Sequence, residues 1–302
     1  MWALQFDEYG GPEVIHLGEA PEPHAGPGKI RITVKAASIN GIDRKISSGL
    51  AAGGKPLEGT GYLGFDAAGV VDEIGDGVSG VAVGDDVFGC GSKTQAEFAV
   101  LDSWALKPAS VDWSVAGAAG VAAEAAERTL RLLGVDNGST LFIDGGAGGV
   151  GAVVTQFAVA RGATVIASAS QSNHDYLREI GAIPVLYGAG LIDRVRAVPV
   201  DRIDAVLDVA GKTPIEDLIA IAPEPAQVVS IANFKADDAG ARVTGGSSDS
   251  QPEKALAQAA ELLQSGQLVI KVQTFPLSRA AEAYQQNQSG HIRGKVVLIP
   301  DH

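Results

Sequence analysis

Apolar and polar residues alternate over positions 29–37, Lys-Ile-Arg-Ile-Thr-Val-Lys-Ala-Ala, and this period of two predicts a half-buried strand. β-Branched runs bounded by glycine predict further strands at 69–75 and 86–89. Pro21, Pro23, Pro27 and Gly28 make the early connection a loop. Near Gly120 the texture changes. Residues 124–133 have helical spacing and stop at Gly134. Strand and helix signals then alternate: strands at 140–144, 164–167, 205–209 and 227–231, with helices at 149–161 and 173–180. Such alternation predicts a parallel sheet covered by helices on both faces. Two helices follow, at 252–264 and 278–288. A last strand, 294–299, has the texture of the β-rich first part, so the chain is expected to return there. The expected division is 1–120, 121–249 and 250–302.

Composition narrows the classes. The chain has 302 residues, 46% of them hydrophobic and 20% charged, which suits two ordered domains with a sizeable core. A net charge of -13 disfavours nucleic acid and anionic membrane surfaces as partners. No apolar stretch is long enough to span a bilayer, and the opening residues read as a strand rather than a signal peptide. Cys90 is the only cysteine, which excludes an intramolecular disulfide and a four-cysteine zinc site and makes the cytoplasm the expected compartment.

The strongest motif is Gly146-Ala147-Gly148-Gly149-Val150-Gly151, between a predicted strand and a predicted helix. It fits the dinucleotide fingerprint: Gly146 for the tight turn, Gly148 for approach of a pyrophosphate, Gly151 for helix–strand packing. The helix N-terminus supplies amides and a dipole for the anion. An NAD site usually has an acidic residue about 20 positions on. Here the corresponding stretch, from Ala167 to His174, has no acid before Asp175. Ser168, Ser170 and Asn173 are instead candidates to hydrogen-bond a 2′-phosphate, with Tyr187 closing over it, so NADPH is favoured. A polar turn capping the next helix at Asn173 is the plainer reading of the same residues. Val209, Ala210, Ile231 and Ala232, at strand ends, should border the nicotinamide, with Asn233 a contact or a turn residue.

These segments together resemble the medium-chain dehydrogenase/reductase superfamily. Gly10-Gly11-Pro12-Glu13-Val14, Ser38 to Lys45, Gly64-Phe65-Asp66-Ala67-Ala68-Gly69, Val83 to Val87 and Arg293 to Leu298 match its pattern in order. The resemblance implies an α/β protein with a GroES-like β-rich catalytic domain and a Rossmann doubly wound parallel-sheet domain. Zinc-dependent members place Cys, His and Cys where this chain has Asn40, Phe65 and Val121, and neither Phe nor Val can ligate zinc. The chain therefore resembles the zinc-independent quinone, enone and alkenal reductases, which use NADPH. His16, His24, His174, His291 and His302 read as surface or capping residues rather than ligands.

Without zinc, another group must stabilise negative charge developing on the substrate oxygen. The resemblance offers Asn40 as amide donor and Lys45 as cation, with Asp43 orienting them. The plain alternatives are a turn bond for Asn40, a solvated charge for Lys45 and a helix cap for Asp43. Glu124 faces the pocket or caps its helix. Ala125 stands where relatives commonly carry a threonine, which leaves open an NADPH-binding sensor or structural protein with little catalysis. Residues 241–245 read as an edge strand by which relatives pair into a homodimer.

Overall fold

The protein is seen here in a computed structural model that describes residues 1–245, 249–289 and 293–301. It divides into two compact units. The first comprises Met1–Val121, Pro252–Ser265 and Ile270–His302. The second comprises Ala122–Gln251 and Gly266–Val269.

In the first unit β1 (Trp2–Phe6) pairs antiparallel with β2 (His16–Glu19). Next come β3 (Ile30–Ile39), the short helix α1 (Gly41–Ser47) and β4 (Gly61–Tyr62), which pairs with β1. They are followed by β5 (Asp66–Ile74), β6 (Asp86–Ser92), β7 (Phe98–Leu106) and α2 (Trp113–Gly117). Strand β3 pairs with both β5 and β7, so β3, β5, β6 and β7 close on one another around Ile30, Ile32, Val34, Val71, Val87 and Leu101. Alternation holds only in the first half of β3, because Ala36 to Ile39 are all buried. There a late strand joins the sheet.

The second unit opens with α3 (Gly120–Leu133), whose first two residues belong to the first unit. It starts four residues before the predicted helix because its first turns are small and wholly apolar, which hides their period. Then follow β8 (Thr140–Asp144), α4 (Gly151–Ala160), β9 (Thr164–Ala169), α5 (His174–Glu179), β10 (Ala182–Leu186), α6 (Leu191–Arg196), β11 (Ala205–Asp208), α7 (Ile215–Ile221), β12 (Val228–Ser230) and β13 (Arg242–Val243). All six strands are parallel, in the order β10-β9-β8-β11-β12-β13. The predicted edge strand thus exists but covers only two residues. Phe142, Ile166, Val206 and Val228 fill the sheet's centre, packed against Leu191, Val195 and Leu218 from α6 and α7.

The chain then contributes α8 (Pro252–Gln264), β14 (Val272–Pro276), α9 (Ala280–Ser289) and β15 (Lys295–Ile299) to the first unit. Strand β15 lies antiparallel to β3, with Val296 opposite Ile39 and Leu298 opposite Ala37. Among the described residues no helix is long and apolar enough to cross a membrane.

Candidate active site

In the first unit the end of β3 and the start of α1 bring Ser38, Asn40 and Asp43 into one buried polar cluster. Asn40 donates one amide proton to Asp66 Oδ1 at 2.9 Å and another to Ser38 Oγ at 3.2 Å. Its Oδ1 accepts from the Lys295 ammonium. Ser38 also donates to Asp66 Oδ1 at 2.6 Å, and the Val121 N–H donates to Asp66 Oδ2 at 2.9 Å. Lys295 Nζ lies 3.8 Å from the same Oδ2. The positions that resemble zinc-ligand positions therefore do converge, but around Asp66, the residue after Phe65. Phe65 and Val121 offer no side-chain ligand atom, so this donor set does not fit a catalytic zinc.

This geometry corrects one expectation. Asn40 is read from sequence as an amide donor toward substrate, yet both of its amide protons are already given to Ser38 and Asp66. Asp43 is wholly buried. Its carboxylate accepts from Asn40 N–H at 2.7 Å and from Gly64 N–H at 2.8 Å, tying the first turn of α1 to the approach to β5. It is thus a cap that also spans two segments. Lys45 is half-buried on α1.

Asp43 and Asp66 both lie buried in this part of the fold, with one ammonium, that of Lys295. Burial pushes the Asp43 carboxyl up to about 7, against the pull of its two backbone N–H bonds; the Asp66 charge adds to the rise and Lys295 opposes it. A carboxyl raised in the fold contributes fully below its ordinary value of 3.8, and that contribution is lost as pH rises through about 7. The wild-type chain is expected to lose on the order of 4 kcal/mol relative to Asp43→Asn between about pH 4 and pH 8. Urea unfolding across that range checks it, and parallel profiles would show an ordinary carboxyl.

In the second unit the glycine loop joins β8 to α4. The left-handed turn falls on Gly145 (φ 96°), not on Gly146 as read from the motif. A Cβ on Gly146 would lie 2.5 Å from Ala167 Cβ on β9, and one on Gly151 would lie 2.3 Å from Gly145 O. The fold itself needs both glycines. A Cβ on Gly148 would meet nothing closer than Gly145 O at 3.5 Å, an ordinary contact, so the protein leaves that face open. Ala147, Gly149 and Val150 complete the loop. Gly146 N–H is donated to Ser168 O at 3.0 Å, Gly148 N–H to Gly145 O at 3.3 Å and Ala152 N–H to Gly148 O at 3.0 Å, so among the described residues the amides that remain for an anion are those of Ala147, Gly149, Val150 and Gly151. An open cradle at a helix N-terminus fits a pyrophosphate.

The loop after β9 is less uniform than its sequence suggests. Ser168, 1% exposed, is spent on the protein: it donates to Asp144 Oδ1 at 2.5 Å and accepts from Gly145 N–H at 2.9 Å. It shapes the glycine loop and is not available to a phosphate. Ser170 Oγ lies 3.0 Å from Ser172 Oγ and accepts from Asn173 Nδ2 at 3.1 Å, so the Asn173 side chain turns back to Ser170 rather than onto the helix. Tyr187 is exposed just past β10, and its N–H donates to Ala169 O at 3.4 Å, beside Ser170. His174 is buried at the start of α5, so of its two readings, surface or capping, the surface one does not hold. His291 and His302 lie outside the described residues.

At the neighbouring strand ends Asp208 holds the backbone. It accepts from Ala210 N–H at 3.0 Å, Gly211 N–H at 2.7 Å and Ser230 Oγ at 2.7 Å. Ser230 in turn accepts from the amides of Ala232 and Asn233. Asn233 uses its own oxygen on Lys235 N–H, which is the turn role. Burial pushes the Asp144 carboxyl up, the Ser168 bond lowers it and the Asp208 charge raises it further. Glu124 neither caps nor stands open: it holds Arg128 in a two-pronged ion pair and accepts from Ser250. Ala125 is buried on α3. Asp66, Lys295, Asp144 and Asp208 were all missed as site residues. The available signal was a charge placed inside or flush against an apolar strand.

A family described as "Alcohol dehydrogenase GroES-like domain" matches residues 26–130, and one described as "Zinc-binding dehydrogenase" matches residues 185–298. The structure of the quinone oxidoreductase from Coxiella burnetii is similar along the whole chain: 30% identity, coverage of 100% of this chain and 99% of that one, TM-score 0.84. The NADPH-dependent alkenal/one oxidoreductase of Arabidopsis thaliana chloroplasts is 28% identical over 99% of this chain and 80% of its own length. The spectinabilin polyketide synthase system protein NorB of Streptomyces orinoci is 31% identical over 96% of this chain, which spans only 14% of that much longer protein.

Proposed function

Because the chain belongs to the medium-chain dehydrogenase/reductase family, in its zinc-independent quinone oxidoreductase-like branch, we propose that it is an NADPH-dependent oxidoreductase that reduces a quinone or an α,β-unsaturated carbonyl without zinc. The observation that carries this is the open cradle at Gly148, a missing Cβ that the protein's own packing does not require.

When bound, NADPH supplies a hydride from C4 of its nicotinamide to the electron-poor carbon of the substrate. The chain's part is to hold and orient. The amides of Ala147, Gly149, Val150 and Gly151 face the pyrophosphate that Gly148 leaves room for, and the hydroxyl–amide cluster of Ser170, Ser172 and Asn173 receives the 2′-phosphate beneath Tyr187. The strand ends fixed by Asp208 and Ser230 present Ala210 and Ala232 to the nicotinamide side. Lys45 is the cation proposed to meet negative charge on the substrate oxygen. Asn40 and Asp43 act by position, fixing the start of the helix that carries Lys45. The final proton comes from solvent. Oxidoreductase names among the relatives favour catalysis over a sensor role. The proposed working state is a cytoplasmic homodimer paired through the β13 edge.

The test follows NADPH oxidation with a panel of quinones, enones, alkenals and simple ketones, with NADH in parallel. Turnover of a quinone or enone with NADPH well above NADH is the expected result. Tight NADPH binding with no turnover across the panel would replace the enzyme reading with the sensor reading.

A further inference from the structure

NADPH differs from NADH only in the 2′-phosphate. Neutral hydroxyls and amides can hydrogen-bond that group but cannot balance its charge, and Arg or Lys normally does so. The turn from Ser170 to Asn173 holds neither. The next cation along the chain, Arg178, points its guanidinium at Asp175 at 2.7 Å.

The topology supplies a cation from elsewhere. Strands β9 and β10 are parallel neighbours, so their carboxyl ends share one edge, joined where Tyr187 N–H meets Ala169 O. Arg194, on α6, folds back to that edge. Its Nε donates to Leu186 O at 2.8 Å, and its Nη2 donates to Tyr187 O at 3.2 Å and Gly188 O at 3.0 Å. Three carbonyls thus fix the guanidinium at the turn 186–188, the turn whose Tyr187 N–H meets Ala169 O.

Nη1 is left over. Among the described residues it donates to no protein atom, and Arg194 makes no ion pair, whereas Arg128, Arg131, Arg178 and Arg202 each face a carboxylate. A Cβ on Gly190 would come within 3.2 Å of Nη1, so glycine there keeps that side of the fork clear. In a chain of net charge -13, a fixed arginine held only by carbonyls is an uncommitted positive site.

We infer that Arg194 is the cofactor-specificity residue, its free Nη1 face receiving the 2′-phosphate together with Ser170 and Tyr187. This rests on the reading of the chain as an NADPH enzyme. A charge-assisted hydrogen bond of this kind contributes about 1.5–3 kcal/mol, which converts to roughly ten- to hundredfold in affinity.

The test is the dissociation constants of NADPH and NADH for wild type, Arg194→Gln and Arg194→Lys, with thermal melts of each unliganded chain. Arg194→Gln is expected to weaken NADPH roughly ten- to hundredfold and leave NADH within about twofold. Arg194→Lys, which keeps the charge and loses the fork, should keep part of the preference. Equal weakening of both cofactors would assign Arg194 to the turn alone and overturn the inference, as would an unchanged preference. Should Arg194→Gln not fold, competition on wild type by adenosine 2′,5′-bisphosphate against adenosine 5′-phosphate, with Arg194→Lys beside it, decides the same point: an undiminished 2′-phosphate preference in the lysine variant overturns the role of the fork. Wild type that binds NADPH no better than NADH would instead overturn the underlying cofactor reading.

Discussion

Replacing Lys295 by Met is expected to cost roughly 3–5 kcal/mol of stability, the cost of leaving a buried charge without its partner. The Asp66 carboxylate is fully buried, and Lys295 is the ammonium beside it. Methionine fills most of the space but supplies no charge, so Asp66 and Asn40 Oδ1 both lose their cation. An exposed pair sets the scale. Lys29 lies 2.6 Å from Asp102 with about half of each side chain exposed, and Lys29→Met should cost less than about 1 kcal/mol. Denaturant unfolding of the two variants makes the comparison. Similar small losses would mean that Asp66 is not held as a buried anion.

The second large effect concerns binding and leaves folding alone. Gly148→Asp is expected to weaken NADPH at least a hundredfold while the unliganded chain melts near the wild-type temperature. Space for the new side chain exists, since its Cβ would meet only Gly145 O at 3.5 Å. That space is where the pyrophosphate must approach, and a carboxylate there adds repulsion to obstruction. Gly151→Ala provides the opposite case. Its Cβ would lie 2.3 Å from Gly145 O, so it should destabilise the chain before any ligand is added. Calorimetric titration and melting curves for both variants separate ligand from fold. NADPH binding unchanged by Gly148→Asp would remove the basis of the proposed cofactor site.

What could be read from sequence follows how local the determining interactions are. The Rossmann pattern was legible because most of its strands and its first helices announce themselves within about ten residues, and the glycine loop lies between one strand and one helix; β10 and the short helices α6 and α7 were not among the elements read. Within that loop the positive φ falls one position early, on Gly145, and Gly146 is required instead because Ala167 across the sheet leaves no room for a Cβ. Ser168 was misread for the same reason: its hydroxyl looks available in sequence, but the neighbouring strand end brings Asp144 to it. The cluster around Asp66 was the least legible part. Asn40 and Asp43 could be singled out, but their partner Lys295 arrives 255 residues after Asn40. Arg194 gave no signal, since an arginine on a short helix reads as solvated until its three carbonyl partners are placed.

The distance between Asn40 and Lys295 has a consequence for unfinished chains. Any polypeptide interrupted before residue 295, whether nascent or truncated, carries Asp66 without its ammonium and lacks the β15 neighbour of Ala37, Ser38 and Ile39. Those three backbone positions are then an open sheet edge flanked by apolar side chains, the kind of surface that recruits another strand. The contiguous run that forms most of the second unit carries its six-stranded sheet entirely within itself. A premature stop shortly before residue 295 therefore spares the nucleotide-binding half and exposes the other to aggregation.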